Sequence, residues 1–236
     1  MPVEAKEKPI LFSGPMIRAI LDGRKCQTRR VVKPKHPNGV ITGPSAEPNG
    51  AIESWGGGGW GVKGRTPVGV EVRDCPYGKP GDHLWVRETA EAYHIPNLLT
   101  GEPTEAVGAR YVADGEPVLT QYGNLDIAWW YSRPTCPAIH MFHNYSRITL
   151  EVTDVRVQRL QDISEEDARA EGISAESASQ FVGHGHPIDD TAWIIAYADL
   201  WNHINGKKYP WKSNVWVWAI SFKRAEQAAK GADDGR

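Results

Sequence analysis

The sequence predicts an α+β domain in which a small β-barrel carries a few packed helices. Short alternating or β-branched runs recur along the chain, whereas only three stretches have helical periodicity, a balance expected of small closed sheets. Glycine and proline, 24 and 17 of them, punctuate the intervals. At 236 residues, one core bearing long loop insertions fits better than two full domains.

Taken in order, residues 1–8 read as a polar tail and Ile10-Leu11-Phe12 as a strand. Ser13 is placed to cap a helix with Pro15 in its first turn and Met16, Ile17, Ile20 and Leu21 on one side, and Gly23 ends it. Thr28 to Lys33 continues as a strand. Residues 34–66 are rich in Gly and Pro without periodicity and read as a surface insertion. Within it, Trp55-Gly56-Gly57-Gly58-Gly59-Trp60 lacks the Lys-Ser or Lys-Thr pair of a phosphate loop and reads as a loop pinned by two aromatics. Strands resume at Val68–Val72, His83–Glu88, Ala109–Val112 and Arg147–Val157, with the turn Lys79-Pro80-Gly81-Asp82 before the second. Ser164, followed three residues later by Asp167, opens a short helix through Glu171 that Gly172 closes. Between Asp190 and Ile204, Trp193, Tyr197, Leu200 and Ile204 recur at helical spacing, and Ile194 and Trp201 widen the stripe. Trp216, Trp218, Ile220 and Phe222 alternate as in a closing strand with one buried face. The domain thus spans 9–224, and 225–236 read as a disordered tail.

Composition narrows the function classes. A net charge of −2 names no partner, so local charge must. Three cysteines, Cys26, Cys75 and Cys136, with no C-x-x-C pair, argue for a reducing compartment, the cytoplasm, rather than a disulfide framework. The opening MPVEAKEKP holds no apolar signal core, and no run approaches the roughly 20 apolar residues that span a bilayer, so neither secretion nor a membrane partner is expected. Cys136, His140 and His143, with His184 and His186 further on, match no standard zinc spacing, so no metal or other cofactor is expected. Tyr209 and Trp211, among lysines, are candidate base contacts in a segment otherwise explained by core packing.

The sharpest asymmetry lies between Arg24 and Lys35, where Arg24, Lys25, Arg29, Arg30, Lys33 and Lys35 occur with no acid. Such a segment suits phosphates, or is a solvated basic face. GRKCQTRR, Gly23 to Arg30, resembles the G-x-K signature of the ASCH family, small β-barrels similar to PUA RNA-binding domains. The order of elements agrees, and Gly81-Asp82-His83-Leu84-Trp85-Val86 is similar to the family's GDxLxV run. Many members carry Glu three residues beyond the signature lysine; here that residue is Thr28. In this the chain resembles the small bacterial ASCH amidohydrolases that deacylate N4-acetylcytidine with a Lys, a Thr three residues later and a distant Glu. Lys25 and Thr28 match the first two, and the similarity of Leu160–Gly172 to the segment before the third places it at Glu171. The resemblance covers the core but not the insertions at 34–66 and 95–145, and the long Trp-rich C-terminal region looks like larger versions encoded by phages and prophages.

Hydrolysing an exocyclic amide needs a nucleophile, a base and an acid for the departing amine, roles that Thr28, Lys25 and Glu171 fill. In a straight strand Lys25 and Thr28 face apart, so the backbone must turn between them. Lys25 serves as base only if burial and Arg24, Arg29 and Arg30 lower its pKa more than Glu171 raises it. The expected cleft is framed by Gly23, Arg24, Arg29 and Arg30, with Trp85 and Arg87 from a strand that in this family borders the pocket. The expected partner is a nucleoside or nucleotide substrate, or RNA. The alternatives are a non-catalytic RNA-binding module, in which Lys25 grips phosphate, and a ribonuclease.

Overall fold

A computed structural model describes residues 5–36, 38–46, 49–55, 69–97, 99–119, 133–182 and 190–225. The readings made for 56–60, for His184 and His186 and for the tail from 226 lie outside them. In chain order the elements are β1 (Glu7–Leu11), α1 (Gly14–Leu21), β2 (Gln27–Val31), β3 (Gly39–Pro44), β4 (Gly50–Trp55), β5 (Gly69–Asp74), β6 (His83–Arg87), β7 (Ala90–Pro96), β8 (Pro103–Tyr111), β9 (Thr135–Cys136), β10 (Thr149–Arg159), α2 (Glu165–Ala170), α3 (Ala175–Ser179), α4 (Asp190–Asn205) and β11 (Trp216–Arg224). The protein is therefore mixed α+β, strand-rich with few helices, and its strands lie in open sheets. Among the described residues no helix is long and apolar enough to cross a membrane.

The chain groups into two compact units, one from 1–22, 82–151 and 224–236, the other from 23–81 and 152–223. In the first, β1 runs parallel to β6, from Glu7 opposite His83 to Leu11 opposite Arg87. The start of β10 pairs antiparallel with β6, Thr149 opposite Trp85. Glu7 and Lys8, read from sequence as tail, are already strand, held by this ladder. Pro15 sits in the first turn of α1, which buries Ile17, Ala19 and Ile20. A three-stranded sheet of order β8-β7-β9 packs Ala90, Ala109 and Tyr111 with Val118 and Met141. Glu88, 1% exposed, is held by Arg147, whose Nε and Nη2 donate to its two oxygens at 3.0 and 2.8 Å. Trp85 is buried, and the Arg87 guanidinium lies 4.7 Å from its ring centroid while Nη1 donates to the Ile139 carbonyl at 3.2 Å.

In the second unit β11 lies between β10 and β2, and α2, α3 and α4 cover the face that carries Val217. The strand was expected to bury one face; Val217 and Ala219 are as buried as Trp218 and Ile220, because helices cover the second face. On α4 the buried stripe is Trp193, Ala196, Tyr197 and Trp201, with Ile194 and Leu200 packed at its margin, while Ile204 is 49% exposed at the helix end. Tyr209 and Trp211 pack against this cluster, Trp201 Nε1 donating to the Tyr209 carbonyl at 2.7 Å, which accounts for both without a ligand.

The stretch 34–66, read as lacking periodicity, carries β3 and β4, which with β5 form a sheet of order β3-β4-β5. Its anchor is Glu53, fully buried, which accepts from the Lys35 N–H at 3.0 Å and the His36 N–H at 2.8 Å. Residue 39 must be glycine, since a Cβ there would run into the Glu53 carboxylate. Burial pushes the Glu53 carboxyl up, but the Lys35 and His36 N–H groups, with His36 and Arg73, outweigh it and hold it below the usual range. A carboxyl depressed on folding contributes stability above its unfolded pKa, about 4.3, and loses it as pH falls through the folded value. Glu53→Gln is therefore expected to be less stable at neutral pH and to lose less on acidification than wild type in denaturant titrations. An acid limb parallel to wild type would refute that.

Candidate active site

Two glycines with positive φ bring the site's halves together: Gly23 at +74° turns the chain out of α1, and Gly172 at +93° ends α2 after its C-cap, Glu171. Nothing crowds a Cβ at Gly23, so the backbone angle alone requires glycine there. The segment between Gly23 and β2 then laces onto the end of α2. Lys25 bridges Glu171, the Cys26 N–H donates to the Ala170 carbonyl at 2.9 Å, and Arg24 Nη1 donates to the Gly172 carbonyl at 3.3 Å. At the other end of α2, Ser164 caps by accepting the Asp167 N–H at 3.2 Å, as its sequence predicted.

Lys25 is 2% exposed and its ammonium donates three times: to the Gln27 carbonyl at 2.8 Å, the Glu171 carbonyl at 2.7 Å and Glu171 Oε2 at 2.8 Å. Hydrogen bonds from the Phe222 N–H to the Cys26 carbonyl and from the Val32 N–H to the Trp216 carbonyl show that even-numbered residues of this stretch bond to β11. The Gln27 carbonyl therefore looks away from β11, along the outer edge of β2, and Lys25 Nζ lies there against the peptide joining Gln27 to Thr28. Burial pushes the Lys25 pKa down, the Glu171 charge and hydrogen bond pull it up, and Arg30 and Arg29 push down again. The sum lies below the ordinary lysine value.

Around this pair lies a closed polar network. Arg29, 4% exposed, donates to Asp167 Oδ2 at 2.5 Å, Gln27 Oε1 at 2.5 Å and Glu171 Oε1 at 3.3 Å. Gln27 Nε2 returns to Asp167 Oδ1 at 2.9 Å, and Arg156 Nη2 reaches the same oxygen at 3.1 Å. The Tyr197 phenol, buried on α4, faces Glu171; burial and the Glu171 charge hold it well above the usual phenol range. Two cations and two carboxylates thus neutralise one another inside the protein.

Of the residues expected in the cleft, Lys25 and Glu171 meet. Arg29 turns inward instead of lining an opening, Arg24 is exposed, and the Arg30 guanidinium lies 5.9 Å from the Tyr77 ring centroid. Thr28, 3% exposed, pairs with Ile220 and shares its face of β2 with Arg30 rather than with Gln27 and Arg29. Its hydroxyl makes no hydrogen bond among the described residues. Trp85 and Arg87 belong to the other unit. Among the described residues no three His, Cys, Asp or Glu side chains are grouped to hold a metal ion. Sequence reasoning missed Gln27, Asp167 and Tyr197. Asp167 had a signal: four residues before Glu171, it shares one face of the helix end.

Compared with known proteins, the chain matches no family model, no curated protein and no solved structure.

Proposed function

We propose that this chain is an ASCH-type amidohydrolase, a PUA-like small β-barrel with packed helices, that deacylates N4-acylated cytosine nucleosides or nucleotides in the cytoplasm. The observation that carries the reading is the 2.8 Å contact of Lys25 Nζ with Glu171 Oε2, across 146 positions of sequence and beside the peptide that leads into Thr28. When substrate is seated, the Lys25 ammonium passes a proton to Glu171 across their contact, and the Thr28 hydroxyl attacks the acyl carbon while Lys25, now the amine, takes its proton. Glu171, as the acid, protonates N4, the C–N bond breaks and the cytosine amine leaves. Water then hydrolyses the acyl-threonine to free carboxylic acid and the Thr28 hydroxyl, leaving Lys25 and Glu171 as the starting ion pair. Burial, with Arg30 and Arg29, lowers the cost of the amine form of Lys25 that the attack requires.

A grip on an RNA backbone is the weaker reading, since Lys25 and Arg29 are buried and direct Nζ, Nη1 and Nη2 at Glu171, Asp167, Gln27 and backbone oxygens. The test is a panel of N4-acylated cytidines followed by ultraviolet absorbance at rising salt. Turnover that changes little with salt is expected for a neutral nucleoside, whereas a phosphate-gripping binder loses affinity steeply. No turnover of any acylated nucleoside would overturn the proposal.

A further inference from the structure

The helical spacing of Asp167 and Glu171 sets two carboxylates on one guanidinium, and they do not share it equally. Arg29 lies 2.5 Å from Asp167 Oδ2 and 3.3 Å from Glu171 Oε1. Gln27 reinforces this by accepting from Arg29 and donating to Asp167. Glu171 is left with its shortest side-chain ion pair to Lys25, at 2.8 Å. We infer that Asp167 is a positioning residue that sets the charge of the Lys25–Glu171 pair, by neutralising Arg29 and so letting Lys25 hold its proton until Thr28 is engaged.

The groups facing the pair are Arg29 and Arg30 from β2 and Tyr197 from α4, and Asp167 of α2 acts on it through Arg29. Arg156 of β10, 46% exposed, acts on Asp167 from the solvent side at 3.1 Å. Ser221 of β11 contributes through Gln27 Nε2 at 3.4 Å. Removing the Asp167 charge leaves the interior one unit more positive, so Lys25 gives up its proton at lower pH. Removing the Arg156 charge acts in the opposite sense, and more weakly because water screens it. The catalytic consequence rests on the amidohydrolase reading; the charge assignment does not.

The experiment is a pH titration of Lys25 by NMR of the substrate-free protein carrying 13C-labelled lysine. Asp167→Asn is expected to lower the Lys25 midpoint by about one pH unit. Asp167→Glu should restore it, and Arg156→Gln, on the surface and safe for folding, should raise it. The deacylation pH profile should move to the acid side in Asp167→Asn by a similar amount, with the fold checked by its melting curve. An unmoved Lys25 midpoint in Arg156→Gln, together with an unmoved or unmeasurable one in Asp167→Asn, overturns the assignment. Wild type that titrates as expected but deacylates nothing sinks the amidohydrolase reading and leaves the role of Asp167 standing.

Discussion

Lys25→Met is expected to lose turnover of N4-acylated cytidine by about 10³-fold and, at the same time, to lose about 3–5 kcal/mol of stability. The two losses have separate causes. The catalytic loss is the one the proposed mechanism assigns to removing its base. The stability loss follows from burial: the Lys25 ammonium satisfies the Gln27 and Glu171 carbonyls and one carboxylate oxygen, and methionine leaves all three without that donor. Arg29 and Tyr197 still face Glu171, which keeps the cost toward the lower end. From the sequence, where Lys25 reads as one of six cations on a basic face, no such destabilisation would be expected. Urea unfolding and steady-state kinetics on the same preparation check both halves; a soluble variant with wild-type stability and wild-type rate would remove Lys25 from the site.

What was legible in the sequence was what a regular period encodes. β10 and β11 are long enough to show alternation, β6 shows a continuous apolar Leu84-Trp85-Val86, and α4 repeats its aromatics every four residues within its 16 positions. β3 and β4 were not legible, because their glycines and prolines read as loop. Their strand character comes from pairing and from the buried Glu53 carboxylate, which gathers the N–H groups of the turn before β3. α3 spans five residues, too few to establish a period.

The site divides along the same line. Gly23 and Gly172 announced the two chain reversals, and Ser164 announced the cap. The fate of Arg29 was hidden, because its neutralising acid, Asp167, arrives from 138 residues away, and a local reading of charge sees only the cations nearby. Buried ion pairs joined through the fold are invisible to a sequence window, whichever function they serve.

Thr28→Val separates catalysis from folding more cleanly than any change at Lys25. Valine keeps the shape and the β-branched stiffness that suit β2 opposite Ile220. It deletes only a hydroxyl that makes no hydrogen bond among the described residues, so the hydrogen bonds of Lys25 with Gln27 and Glu171 stay in place. Stability is expected to stay within about 0.5 kcal/mol of wild type. If Thr28 is the nucleophile, turnover of acylated cytidine should fall by about 10³-fold or more, because no acyl-enzyme can form, and Thr28→Ser should recover part of it. Mass spectrometry under substrate excess should show an acyl adduct on wild type and none on Thr28→Val. A valine variant that turns over at the wild-type rate would leave Lys25 and Glu171 to activate water directly, and the hydroxyl would have no part in the chemistry.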